Sequence, residues 1–157
     1  MEPHTSTKMK HSQKVSEELA HFLADTYALY LKTQNFHWNV RGAEFYALHL
    51  LFEKQYEELA EAIDEIAERI RALGFYVDAS FSGFKQLTQI KDEEKVLTAQ
   101  DMLHHLANAH EVTIRHGRSL LEIAERESDG ATVDLLGRRL GAHEKILWML
   151  RSQYESL

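Results

Sequence analysis

The chain has 157 residues with a net charge of −7, no cysteine and a single proline at position 3. That length suits one domain with its own core, and the missing thiols exclude disulfides, thiolate metal sites and cysteine nucleophiles. The acidic balance argues against a protein built mainly to grip phosphate backbones.

Residues 1–11 read as a mobile polar tail ahead of a bundle at 12–157. Lys8, Lys10 and Lys14 against Glu2 give residues 1–14 a charge of +2, leaving −9 for the rest. The start lacks the apolar centre of a secretory signal, and no run of about 18 apolar residues spans a membrane. A cytoplasmic protein is expected, with nucleoid association as its variant.

A first helix is expected over Ser12–Asn39, with Leu19, Phe22, Leu23, Tyr27, Tyr30 and Leu31 on its apolar face. Arg41-Gly42 breaks it. A second runs over Ala43–Leu73, with the stripe Phe45, Leu48, Phe52, Gln55, Leu59, Ile63, Ile66, Ile70 spaced three and four apart. Gly74 stands at its C′ position. Phe75–Lys95 has no sustained period and reads as a crossover, with a short helix over Ala79–Gln86.

The third long helix starts near Thr98, where Thr98 and Asp101 resemble a capping box, and ends at Ser128-Asp129-Gly130. The fourth carries Val133, Leu136, Leu140, His143, Leu147, Leu150 and Tyr154. His110 and His143 fall on core stripes and read as buried, hydrogen-bonded packing residues. Two helices, a long crossover and two more helices predict an all-α, ferritin-like four-helix bundle.

The second helix also carries metal-capable side chains. At 100° per residue, His49, Glu53, Asp64 and Glu68 lie within about 100° of one another around its axis. Yet His49 and Asp64 are separated by about 22 Å along that axis, too far for one ion. An antiparallel copy related by a two-fold axis brings His49 and Glu53 of one chain to Asp64 and Glu68 of the other, and creates two equivalent sites. Tyr56, Ala60 and Ala67 lie between the polar pairs, and His37 at the end of the first helix completes each site. Imidazoles mixed with carboxylates suit iron, manganese or zinc. Carboxylate-bridged centres inside one bundle use Glu-x-x-His motifs; the variant Asp101-Met-Leu-His104 stands alone near a helix start, so an internal centre is not expected. Taken singly, each of His49, Glu53, Asp64 and Glu68 reads first as part of a solvated helix face.

The spacing of His37, His49, Asp64 and Glu68, with eleven and fourteen residues between the first three, resembles the signature of the Dps family, the mini-ferritins. The texts FHWNVRG, ASFSGF at 79–84 and HEKILWML at 143–150 are also similar to that family. The resemblance implies a dodecamer with 23 symmetry, with iron oxidised at two-fold contacts by hydrogen peroxide, and more slowly by dioxygen. Ferric mineral is then stored inside the shell, protecting against oxidative damage. It implies iron ligation, dinuclear or mononuclear, by His37, His49 and residue 53 of one subunit and Asp64 and Glu68 of its mate. Residue 53 is usually Asp in the family and is Glu53 here.

Trp38 is a candidate radical trap, with interface packing as its plainer role. Asp129 and Asp134 are candidate linings of an acidic three-fold pore, although Gly130 replaces an acid common there, and Asp129 competes as a helix cap. The alternative function is a nucleoid-associated protein compacting DNA, with Lys8, Lys10 and Lys14 as its contacts.

Overall fold

The structure, a computed structural model, describes the backbone of residues 4–155 and the side chains of residues 10–155. Five helices follow one another: α1 (His4–Asn39), α2 (Phe45–Ala72), α3 (Phe81–Leu87), α4 (Ala99–Arg126) and α5 (Gly130–Arg151). The described residues contain no strand. Helices α1 and α2 pack as one antiparallel hairpin and α4 and α5 as another, with α1 lying against α4. The short α3 rides on α1 within the crossover.

One boundary differs from the sequence expectation. Helix α1 begins at His4, so residues 4–11, expected as a tail, are helical. No breaker lies between His4 and His11, and extending a formed helix costs far less than nucleating one. Residues 1–3 and the side chain of Lys8 lie outside the described residues.

The helix ends follow local chemistry. At the end of α2, Gly74 takes φ +98°, its N–H donates to Arg71 O, and the Phe75 N–H donates to Ile70 O. That double closure is a Schellman motif, and its left-handed residue favours glycine. Thr98 caps α4 by accepting from the Asp101 N–H. Asp129 caps α5 by accepting from the Thr132 N–H and hydroxyl, and it also pairs with Arg69 at 2.7 Å. Both of its oxygens are committed to holding the α4–α5 turn on α2.

The buried seam of α2 is Leu48, Phe52, Gln55, Leu59, Ala62, Ile66 and Ile70. Ala62 therefore takes the inward place expected of Ile63, which is only half-buried. Phe45, in the first turn, is 42 % exposed, and Leu31 on α1 is also exposed. The inner face of α1 keeps the expected Leu19, Phe22 and Leu23 and adds Val15, Leu29 and Phe36. Both stripes alternate three and four; the packed seam differs in accepting small residues, Ala62 on α2 and Thr26 and Thr33 on α1, where helices approach.

His110 and His143 are fully buried, with their Nδ1 atoms 2.9 Å apart. The Arg139 guanidinium lies 3.3 Å from His143 Nε2, and Arg139 is itself ion-paired with Glu58 on α2. A guanidinium only donates, so His143 Nε2 accepts and its Nδ1–H donates to His110. Burial, reinforced by the Arg139 charge, pushes His110 down to about 3. Burial chiefly, then His110 and Arg139, lowers His143 well below the ordinary value.

On the crossover side, Asp25 is fully buried and accepts from the Thr88 hydroxyl, the Gln89 N–H and the His116 ring. One carboxylate thereby fixes where the chain returns from α3 towards α4.

Two predictions follow from these groups. Both core imidazoles stay neutral in the fold but titrate near pH 6.5 when unfolded. Their contribution is present above that pH and is lost as pH falls towards about 3, where His110 titrates, at up to about 1.4 kcal/mol per pH unit per ring. His116 is raised instead, chiefly by its Asp25 hydrogen bond, and so opposes this with one ring against two. The urea midpoint should fall between pH 7 and pH 5, and His110→Leu/His143→Leu should flatten that slope. Separately, Asp129→Ala should cost about 1–2 kcal/mol through loss of the cap, measured by urea unfolding, whereas a pure pore residue would leave stability unchanged.

Candidate metal centre

The turn after α1 reverses the chain within five residues, with Gly42 at φ +110°. This brings the last turn of α1 against the first turns of α2 and places His37 beside His49. The two rings are stacked, with centroids 3.9 Å apart and planes inclined by 14°. Nδ1 of His37 lies 2.7 Å from the His49 carbonyl oxygen, and Nδ1 of His49 lies 2.7 Å from the His37 carbonyl oxygen. A carbonyl only accepts, so each Nδ1 carries the proton and each Nε2 keeps its lone pair. A backbone acceptor behind each ring is the usual way a metal-binding imidazole is oriented.

Tyr56 presents its edge to His37, with centroids 5.1 Å apart, and Phe45 stacks on His49. The Tyr56 phenol is raised by burial and then by the Glu53 and Glu57 carboxylates, and Glu53, four residues after His49, lies on the same face of α2. Trp38 is 62 % and Tyr46 73 % exposed. With Phe45 and Leu50 they give the surface around the histidine clasp an apolar character, as an unpartnered interface has.

Asp64 and Glu68 are exposed on α2. Among the described residues, neither they nor Glu53 enters an ion pair, and no three His, Asp or Glu side chains surround a common point. One chain thus carries the two histidines and Glu53 towards one end of α2, and Asp64 and Glu68 towards the other.

The bundle interior does not fit an internal carboxylate centre. At the level of His110 it holds two neutral imidazoles and the Arg139 guanidinium, whose charge repels a cation. Of the expected pore residues, Asp129 is mostly buried and spent on capping α5. Asp134 is exposed and accepts from Arg138 Nε at 3.1 Å. Lys10 and Lys14 are exposed on α1.

Several polar groups have no place in the sequence reading. Asp25, the Glu58–Arg139 pair and His116 are among them, and their partners lie far along the chain. One missed feature was readable: Glu18-Leu19-Ala20-His21 has the Glu-x-x-His spacing.

Comparison with known proteins agrees with the geometry. A ferritin-like domain family matches residues 16–157. An uncharacterized low temperature-induced protein of Nostoc sp. is 44 % identical over 135 residues, covering 85 % of this chain and 75 % of the relative. The DNA protection during starvation protein of Porphyromonas gingivalis is 36 % identical, covering 93 % and 92 %. The Dps protein of Vibrio cholerae O1, described as belonging to a broad superfamily of ferritin-like diiron-carboxylate proteins, superposes with a TM-score of 0.90 at 33 % identity, covering 94 % of this chain and 92 % of that one. On this match of sequence and fold, the chain belongs to the Dps family of ferritin-like proteins.

Proposed function

We propose that the protein is a ferroxidase and iron store that oxidises Fe2+ at sites shared across a two-fold contact between subunits. The observation that carries this reading is the reciprocal clasp of His37 and His49, which frees two Nε2 atoms on the face of α2 that also carries Glu53, with too few ligands among the described residues to enclose a metal ion. Asp64 and Glu68 of a second subunit supply the missing carboxylates. Imidazole nitrogens hold Fe2+, and the harder carboxylate oxygens favour Fe3+, so the ligand set assists loss of the electron.

Two such electrons, one from each of two Fe2+ ions, cleave the O–O bond of hydrogen peroxide to two hydroxides without releasing a radical. Dioxygen is the slower oxidant. Glu53, one turn beyond His49, reaches a second iron position, and the site is mononuclear where that position stays empty. Trp38 beside the clasp packs in the subunit contact and intercepts stray oxidising equivalents. Twelve subunits with 23 symmetry enclose the ferric mineral, with Asp134 drawing Fe2+ through the three-fold pore. Removing Fe2+ and peroxide together protects the cytoplasm from oxidative damage.

His37→Ala/Asp64→Ala should slow ferric absorbance after adding Fe2+ and peroxide by at least about tenfold, the scale of disrupting a metal ligand set. The particle mass should stay that of wild type. Equal rates in the two proteins would refute the assignment.

A second reading, DNA binding, is favoured by the exposure of Lys10 and Lys14 on the first turns of α1 and by the printed name of the Porphyromonas relative. Twelve copies multiply weak contacts. Low-salt gel shifts should fade steeply as salt rises and disappear on deleting residues 1–11; a shift unchanged by that deletion removes this reading.

A further inference from the structure

Outside the histidine clasp, a second group of metal-capable side chains meets where α1 and α4 pack. Glu18 and His21 are three residues apart on α1 and so share a face. His116 comes from α4, with its Nε2 at 3.6 Å from the Glu18 carboxylate. Both imidazoles are braced from behind. His116 Nδ1 lies 2.9 Å from Asp25 Oδ2, and the other oxygen of that buried carboxylate is fixed by Thr88 and Gln89. His21 Nδ1 lies 3.1 Å from the Leu87 carbonyl oxygen, which only accepts. Each ring therefore turns an Nε2 away from its brace, one backed by a carboxylate and one by a backbone carbonyl. Those are the two commonest supports behind metal-ligating histidine.

We propose that Glu18, His21 and His116 form a second site for a divalent transition ion of the zinc type, distinct from the ferroxidase half-sites. The ring centroids of His21 and His116 are 6.4 Å apart. An ion about 2.1 Å from each Nε2 sits about 3.2 Å from each ring centre, so the observed separation is at the upper limit for two rings on one ion. No three such side chains already enclose a point among the described residues. Closure needs the half-exposed Glu18 carboxylate to swing and the rings to draw in by about 1 Å towards tetrahedral geometry. Two nitrogens and one carboxylate then leave a fourth position for water. Such an ion ties α1 to α4 beside the carboxylate that anchors the crossover, so it acts as a removable structural staple.

The test uses Zn2+ alone on the full-length His37→Ala/Asp64→Ala protein, in which the ferroxidase ligands are cut. Calorimetric titration should find about one tightly held Zn2+ per subunit, as a closed His2Glu set requires, with a rise in Tm. Adding Glu18→Gln and His21→Ala should remove that ion and the Tm rise, each protein being compared with its own metal-free Tm. Neither change touches the His116–Asp25 bond. The same Zn2+ stoichiometry with and without these changes, or no binding in the starting protein, would overturn the proposal and leave His116 as an ion-pair residue only.

Discussion

His37 and His49 hold each other by their main chains, and much of the functional surface depends on that exchange. Each ring donates to the other residue's carbonyl, so the end of α1 is locked to the start of α2 while both Nε2 atoms remain unprotonated. On the function proposed, the site is not finished in one chain, because the acids assigned to it stand about four turns further along the same helix. A straight α2 keeps the two half-sites apart. A two-fold partner is the simplest geometry that joins them, and it joins both at once.

The rest of the fold keeps α2 straight and correctly rotated. Its inward seam packs on α1, and its outer acids Glu58 and Glu65 reach Arg139 and Arg138 on α5. Arg69 is pinned by Asp129 at the α4–α5 turn. In the middle of the bundle, where a carboxylate-bridged centre would sit, the Arg139–His143–His110 chain fills the space with donors and a positive charge. A cation is thereby disfavoured at that level of the interior. Asp25 serves the crossover in a similar way, spending a buried charge on three hydrogen bonds so that the long connection returns at one defined place.

The helices and their order were legible in the sequence because periodicity and end signals are local. Gly74, Thr98 and Asp129 each act within four residues, and each sits where its chemistry demands. The separation of His49 from Asp64 was equally legible, since helix rise alone sets it. Burial of individual residues was less so. Phe45 and Leu31 have the composition of core residues, but whether a face is covered depends on neighbours that a single helix does not specify. The same holds for Arg139 and Glu58, which lie far apart in sequence and are joined only by the packing of α2 on α5. The reciprocal histidine bonds were also invisible, because they need the reversal at Gly42 to be drawn in three dimensions. Helix α1 starts earlier than the polar character of residues 4–11 suggests, because that segment contains nothing to stop a helix.

The central claim is that each oxidation site takes its histidines from one subunit and its acids from another. It is tested most directly by subunit mixing. Refolding His37→Ala subunits with an equal amount of Asp64→Ala subunits places both lesions in one site of every mixed pair and leaves the other site intact. Random pairing should restore about a quarter of wild-type sites, read as peroxide-dependent ferric absorbance, although neither variant alone turns over. Recovery near that fraction is the result this account predicts. No recovery in mixed particles of normal mass would mean that the ligands belong to a single chain, and would contradict it.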